Sequence, residues 1–182
     1  MSTIIESRSK SARQTLLYGR ALGESLKAGD LVAISGPLGA GKTQLVKGIA
    51  LGLRVPGDEP VVSPSFVLVR EYRGRLKLYH VDAYRLRSAA ELLALGWDEI
   101  REQPGSVVVI EWAERVPAAI PEDAFQVELE HDGPTARRIR LAVTNQGRRA
   151  ALARRLRQFS GKAGPRSQSR PGNRRPASAA DT

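Results

Sequence analysis

The hydrophobic positions of this chain recur at two different periods, and the changes of period divide it into elements. Ser11-Ala-Arg-Gln14 has the pattern of a capping box. Ala12, Leu16, Gly19, Gly23 and Leu26 follow at spacings of three and four, which predicts a helix that stops at Ala28-Gly29. Residues 31–34 are an apolar run without alternation, as expected of a strand buried on both faces. Residues 44–53 return to helical spacing through Leu45, Val46, Ile49 and Leu53, and 56–64 are a loop by composition. Residues 66–72 and 76–81 predict two strands joined by a turn at Arg73-Gly74-Arg75, hence a hairpin. A short helix is predicted over 89–95, ending at Gly96, and residues 107–110 form the second and more apolar buried-strand run. Residues 126–130 and 138–143 alternate and predict a second antiparallel pair, on an edge or in an extension. The last predicted helix spans 147–159, with Leu152, Leu156 and Phe159 on one stripe. Buried strands alternating with helices, together with antiparallel pairs, indicate an α/β fold with a mixed sheet.

Charge adds a boundary. The chain has 182 residues and a formal net charge of +10. Residues 1–147 carry 19 basic and 18 acidic side chains, whereas 148–182 carry ten basic side chains and one acid, Asp181. A uniformly basic, histone-like body is excluded. From Ser160 onward there is no Val, Ile, Leu, Met or aromatic residue. That composition cannot offset the entropy of ordering, so we expect one domain over 1–159 and a disordered basic tail over 160–182. The absence of Cys excludes disulfides, thiolate metal sites and thiol nucleophiles. No apolar run suits a signal peptide or a membrane span, and a cytoplasmic protein without membrane contact is expected.

The chemistry is concentrated in Gly36-Pro-Leu38-Gly39-Ala40-Gly41-Lys42-Thr43, which matches G-x-x-x-x-G-K-[ST] between a buried strand and an amphipathic helix. A triphosphate needs many donors at close range, and backbone N–H groups supply them where no Cβ intervenes. The positive end of the following helix faces the same anion. Lys42 is the candidate for the β- and γ-phosphates, and Thr43 for Mg²⁺. Such a loop works with an acid at the end of a neighbouring buried strand. Glu111 follows 107–110 and Asp82 follows 76–81; either is a candidate to bind the metal or to orient the attacking water. No Asn-Lys-x-Asp or Asp-x-x-Gly segment of a GTPase is present, so ATP is the expected nucleotide. A small-molecule kinase and a nucleotide-gated binding module remain alternatives on the same frame.

Four segments in order, Gly36-Pro-Leu-Gly-Ala-Gly-Lys-Thr43, Ser63-Pro-Ser-Phe66, His80-Val-Asp-Ala-Tyr-Arg-Leu86 and Glu111-Trp-Ala-Glu114, give the chain a wider likeness. It resembles the TsaE (YjeE) family, bacterial ATPases of tRNA threonylcarbamoyladenosine biosynthesis, from about Ser11 to Gly147. Thr15 and the Leu16-Leu-Tyr-Gly-Arg-Ala-Leu22 segment look like that family's N-terminal part. The resemblance implies a compact P-loop NTPase-like, three-layer α/β domain and slow ATP hydrolysis that depends on partners. Those partners would be the threonylcarbamoyl-transferase subunits TsaD and TsaB, in the pathway that modifies the adenosine beside the anticodon. It also implies that Lys42 binds phosphate, that Thr43 and Glu111 hold Mg²⁺, and that Asp82 positions the attacking water. Ser63 and Ser65 would lie in a switch-like loop, and Trp112 beside the site at the partner surface. Thr15 and the backbone of 36–43 would border ATP. Two departures stand out: Pro37 where the family usually has Asp or Asn, removing one N–H, and Ser65 where Thr is common.

The remaining polar residues have plainer readings. His80, alone in a strand, reads first as a packed residue making one hydrogen bond. Arg137 approaches the nucleotide from the C-terminal strands or is an exposed strand charge. Tyr84 and Arg85 brace Asp82, meet a partner or are ordinary surface. The basic tail contacts tRNA phosphates, docks on an acidic partner or keeps the chain soluble.

Overall fold

A computed structural model describes residues 3–159. The expectation of a disordered basic tail over 160–182 lies outside the described residues. Seven strands form one mixed sheet in the order β1-β7-β6-β2-β5-β4-β3. They are β1 (Thr3–Ser9), β2 (Leu31–Ser35), β3 (Val69–Arg73), β4 (Lys77–Asp82), β5 (Ser106–Glu111), β6 (Phe125–His131) and β7 (Arg137–Val143). The helices are α1 (Ala12–Gly23), α2 (Lys42–Gly52), α3 (Ala89–Leu93), α4 (Trp97–Glu102) and α5 (Gln146–Leu156).

The centre of the sheet is parallel. β2 lies between β5 and β6 and runs parallel to both, and β4 runs parallel to β5. β3, β7 and β1 extend it by antiparallel pairing. Alternate residues of β2 face opposite sides. Val32 and Ile34 join the core formed with α1, α2 and α5, while Leu31 and Ala33 join the one that includes Leu92 of α3 and Trp97 of α4. Helix layers on both faces explain why residues 31–34 and 107–110 read as unbroken apolar runs, and the three-layer α/β reading holds.

α1 and α2 meet at unusually close range, and glycine makes that possible. A Cβ placed on Gly48 would stand 2.0 Å from the Leu16 carbonyl oxygen, and one on Gly19 2.3 Å from that of Leu45. Gly23 and Gly52 repeat the arrangement one turn further on, against the Ile49 and Arg20 carbonyls. This contact seats α2, and therefore the loop before it, against a helix capped by Ser11, whose hydroxyl accepts the Gln14 N–H.

Several boundaries differ from the sequence pattern. α1 ends at Gly23 rather than at Ala28-Gly29, and its packed face runs through Thr15, Tyr18 and Leu22 beside Gly19 and Gly23, leaving Ala12 exposed. The strand predicted from 66 begins at Val69, because Phe66 and Val67 are exposed loop residues. The pair predicted over 126–130 and 138–143 forms as β6 and β7 but not at an edge: β6 pairs in parallel with β2, and β1 pairs with β7 on the other side. β6 alternates because only one of its faces is covered, burying Phe125, Val127 and Leu129 and exposing Gln126 and Glu128. The edge on that side belongs to β1, a strand the pattern did not reveal. Its buried face includes Ser7 and Ser9, so no apolar alternation marks it. No helix among the described residues is long and apolar enough to cross a membrane.

Candidate functional site

β4, β5 and β2, three of the four parallel strands, end close to one register, and the glycine-rich loop leaves from the end of β2. Gly36, Gly39 and Gly41 have φ of 134°, 74° and 94°, a region costly for any residue with a Cβ. Gly36 is doubly constrained, since a Cβ there would lie 2.2 Å from the Leu129 carbonyl oxygen of β6.

The carbonyls of this loop are bonded along its length. Lys42 Nζ donates to Gly36 O at 2.7 Å and to Pro37 O at 2.9 Å. His131 Nε2 lies 3.2 Å from Leu38 O. The Arg137 guanidinium donates to Gly39 O and Ala40 O, both at 3.0 Å. Held this way, the loop offers an anion its amide N–H groups and the first-turn N–H groups of α2. Arg137 thus braces the loop through its carbonyls. His131 does the same from the opposite residue of the β6–β7 pair, a role invisible until the register is known.

Lys42 is almost wholly buried, and its ammonium lies 3.3 Å from the centre of the Trp112 ring. Burial lowers its pKa from the ordinary lysine value; the carboxylates of Glu111, Glu114 and Asp82 oppose that shift. Trp112 is set over it by a left-handed backbone (φ 61°) directly after β5, and its ring packs 4.9 Å from that of Tyr84.

Asp82 and Glu111 are opposite one another at the ends of β4 and β5, each only 2% exposed. Glu111 Oε2 accepts the Thr43 hydroxyl at 2.9 Å, and Glu111 Oε1 lies 2.8 Å from His80 Nε2. Asp82 Oδ1 accepts the Tyr84 N–H at 2.9 Å; Oδ2 accepts the Ser65 hydroxyl at 2.9 Å and the Ser63 hydroxyl in a shorter contact. Buried carboxylates require such partners. The loop 63–67 is therefore tied to Asp82, while Glu111 is tied to the glycine-rich loop. Beyond Ser65, Phe66 is 85% and Val67 68% exposed.

On the other side of the loop a cleft of about 210 Å³ is lined by Ala12, Thr15, Ala40, Gly41, Gln44 and Arg137, among others. Thr15 shares a hydrogen bond of 2.8 Å with Ser9, so its hydroxyl serves β1 and α1 while its methyl sits 4.0 Å from where a Cβ on Gly41 would be.

Lys42, Thr43, Asp82, Glu111, Ser63, Ser65 and Trp112 thus converge on one side of the loop, with Thr15 and Arg137 on the other. The donors at its centre are hard oxygens, Thr43 Oγ1 and Glu111 Oε2. That chemistry suits Mg²⁺, which takes one or two protein oxygens and completes its shell with phosphate and water. Among the described residues no cluster of three His, Cys, Asp or Glu offers a metal a full protein cage.

A family model described as "Threonylcarbamoyl adenosine biosynthesis protein TsaE" matches residues 9–139. The chain belongs to the TsaE family. TsaE proteins of Treponema pallidum (44% identical, over 66% of this chain and 87% of that one) and Streptomyces coelicolor (40%, over 74% and 93%) are similar to it. So is the TsaE of Nostoc, 49% identical over 57% of this chain and 64% of that one. The crystal structure of Bacillus subtilis YdiB superposes with a TM-score of 0.71 at 30% identity, covering 87% of this chain and 97% of that one. The stretch matched by the TsaE model runs from the last residue of β1 into β7, so it contains every side chain of the site. α5 lies beyond it. Membership carries a role in tRNA threonylcarbamoyladenosine biosynthesis, and a P-loop nucleotide site agrees with the fold.

Proposed function

We propose that this TsaE-family protein is a Mg²⁺-dependent ATPase that acts with TsaD- and TsaB-type proteins in tRNA threonylcarbamoyladenosine biosynthesis. The observation that carries the reading is the Thr43–Glu111 bridge beside a buried, phosphate-loop Lys42. Lys42 meets the β- and γ-phosphates with its ammonium, and the amides of 36–43 surround them. Thr43 Oγ1 and Glu111 hold Mg²⁺, which when bound offsets charge on the β- and γ-oxygens. Asp82 orients a water for attack on the γ-phosphorus. The adenosine end lies along the cleft by Thr15 and Ala40, with Arg137 fixing the loop's carbonyls.

Asp82 supports the partner-dependent reading. Asp82 is 2% exposed and its Oδ2 is held by Ser63 and Ser65, so a shift of the loop 63–67 would open it to a water. Phe66 and Val67, exposed on that loop, provide an apolar grip for a protein that moves it. Trp112 lies beside the same surface.

The test is release of inorganic phosphate from Mg²⁺-ATP with and without TsaD and TsaB proteins, for the parent chain and Lys42→Ala. Stimulation by the partners, abolished in Lys42→Ala, is expected. Equal turnover with and without partners, or transfer of phosphate to a metabolite instead of water, would overturn the reading.

A further inference from the structure

His80 makes a contact that packing alone does not account for. It is fully buried on β4, two residues before Asp82, and so points to the same face of the sheet. Its Nε2 lies 2.8 Å from Glu111 Oε1, while Glu111 Oε2 faces the Thr43 hydroxyl. One imidazole therefore engages the carboxylate oxygen that the P-loop helix does not. Its Nδ1 meets no hydrogen-bond partner among the described residues, and the aromatic neighbour of the ring is Tyr72, with centroids 6.5 Å apart.

We propose that His80 is a positioning residue: by donating Nε2–H to Glu111 Oε1, it fixes the rotation of that carboxylate and turns Oε2 toward Thr43, the two oxygens that would hold the cation. The proposal rests on the metal assignment above. A carboxylate on a long side chain has several accessible rotamers, and a cation site gains affinity when its ligands are held in place before binding. A donor at the far oxygen selects one rotamer. The facing carboxylate can only accept, so the bond requires a proton on Nε2. The arrangement parallels the rule that groups behind metal ligands tune affinity by about 10–100-fold, with the roles exchanged: here the carboxylate is the ligand and the imidazole stands behind it.

The experiment compares the parent chain with His80→Gln and His80→Leu. Gln places an N–H donor near the position of Nε2; Leu fills the space without one. A non-hydrolysable ATP analogue is titrated into each protein in EDTA and across a Mg²⁺ series. Thermal melting shows that each variant is folded. His80→Leu should bind the analogue in EDTA as the parent does, yet need about tenfold more Mg²⁺ for the same gain in affinity. His80→Gln should recover most of the difference.

Equal Mg²⁺ dependence in all three chains would overturn the positioning role while leaving the metal reading intact. So would a loss in His80→Leu that is as large in EDTA as in Mg²⁺. A parent chain that binds the analogue no better with Mg²⁺ than without it would overturn both.

Discussion

Asp82 and Glu111 are in-register neighbours on adjacent parallel strands, yet they face different parts of the molecule. Glu111 bonds Thr43 at the start of α2, whereas Asp82 bonds Ser63 and Ser65 on the loop before β3. One strand-end pair of acids thus couples the phosphate loop on one side to a segment with exposed apolar residues on the other. Equal chemistry in unequal surroundings predicts unequal consequences. Glu111→Gln should lose most of the Mg²⁺-dependent part of ATP affinity, on the order of tenfold or more. Asp82→Asn should bind Mg²⁺-ATP like the parent but hydrolyse it at least about 10²-fold more slowly. Equilibrium titration and partner-stimulated turnover on each variant separate the two effects, and the reverse pattern would exchange the assignments.

Lys42 supplies a pH dependence with a definite sign. Burial lowers its pKa in the free protein, against the pull of Glu111, Glu114 and Asp82. A bound triphosphate favours the charged ammonium and raises the pKa again. Binding therefore takes up a proton wherever the pH lies between the free and bound values. Nucleotide affinity should fall as pH rises through the free value, beginning below the range of an ordinary lysine. Calorimetric titration in buffers of different ionisation enthalpy measures that uptake directly. Lys42→Arg, charged throughout the range, should remove the proton uptake even where it weakens binding.

The glycines between α1 and α2 predict a stability effect far from the chemistry. Replacing Gly48 by Ala improves intrinsic helix propensity by up to about 1 kcal/mol. The new Cβ, however, would lie 2.0 Å from the Leu16 carbonyl oxygen and 2.9 Å from the Arg20 nitrogen. Backbone atoms cannot yield as a flexible side chain does, and overpacking of this kind costs about 1–3 kcal/mol. Gly48→Ala should therefore lower the midpoint of denaturant unfolding. It should also weaken nucleotide binding if α2 shifts along its axis. A midpoint equal to the parent's would show that the helices separate freely.

What was legible in the sequence follows from where physical constraints fall on single residues. A phosphate cradle demands glycine where φ is positive and a lysine within reach, so 36–43 could be read directly, as could the strands buried on both faces. β1 escaped because its covered face includes Ser7 and Ser9 rather than apolar residues. α4 escaped because six residues anchored by Trp97 are too few to display a helical period. The pairing of Asp82 with Glu111 was suggested by their places at two strand ends, but their different partners depend on register and on the course of the loop 63–67. His131 and Arg137 illustrate the same limit. They lie six residues apart in an alternating segment, and only the β6–β7 register brings both to the carbonyls of the phosphate loop.

The C-terminal boundary can be tested by two truncations. Phe159 packs edge-on against Tyr18 with ring centroids 5.5 Å apart, and Leu152 and Leu156 belong to the same core as Leu22 and Ile139. Arg148 also ties the start of α5 to the body, donating to Asp30 at 2.8 Å and to the Ser25 carbonyl at 2.9 Å. A chain ending at Phe159 keeps all of these contacts. Its denaturation midpoint and its ATP affinity should equal those of the full chain, although residues 160–182 carry a share of the positive charge. A chain ending at Gly147 loses three buried apolar side chains, each contributing about 1.5–3 kcal/mol. That loss is comparable with the whole stability of an ordinary domain, about 5–15 kcal/mol, so this shorter chain should be largely unfolded by circular dichroism. A large drop in ATP affinity already at the Phe159 truncation would mean that the basic segment contributes to the nucleotide site and that the body ending there is incomplete.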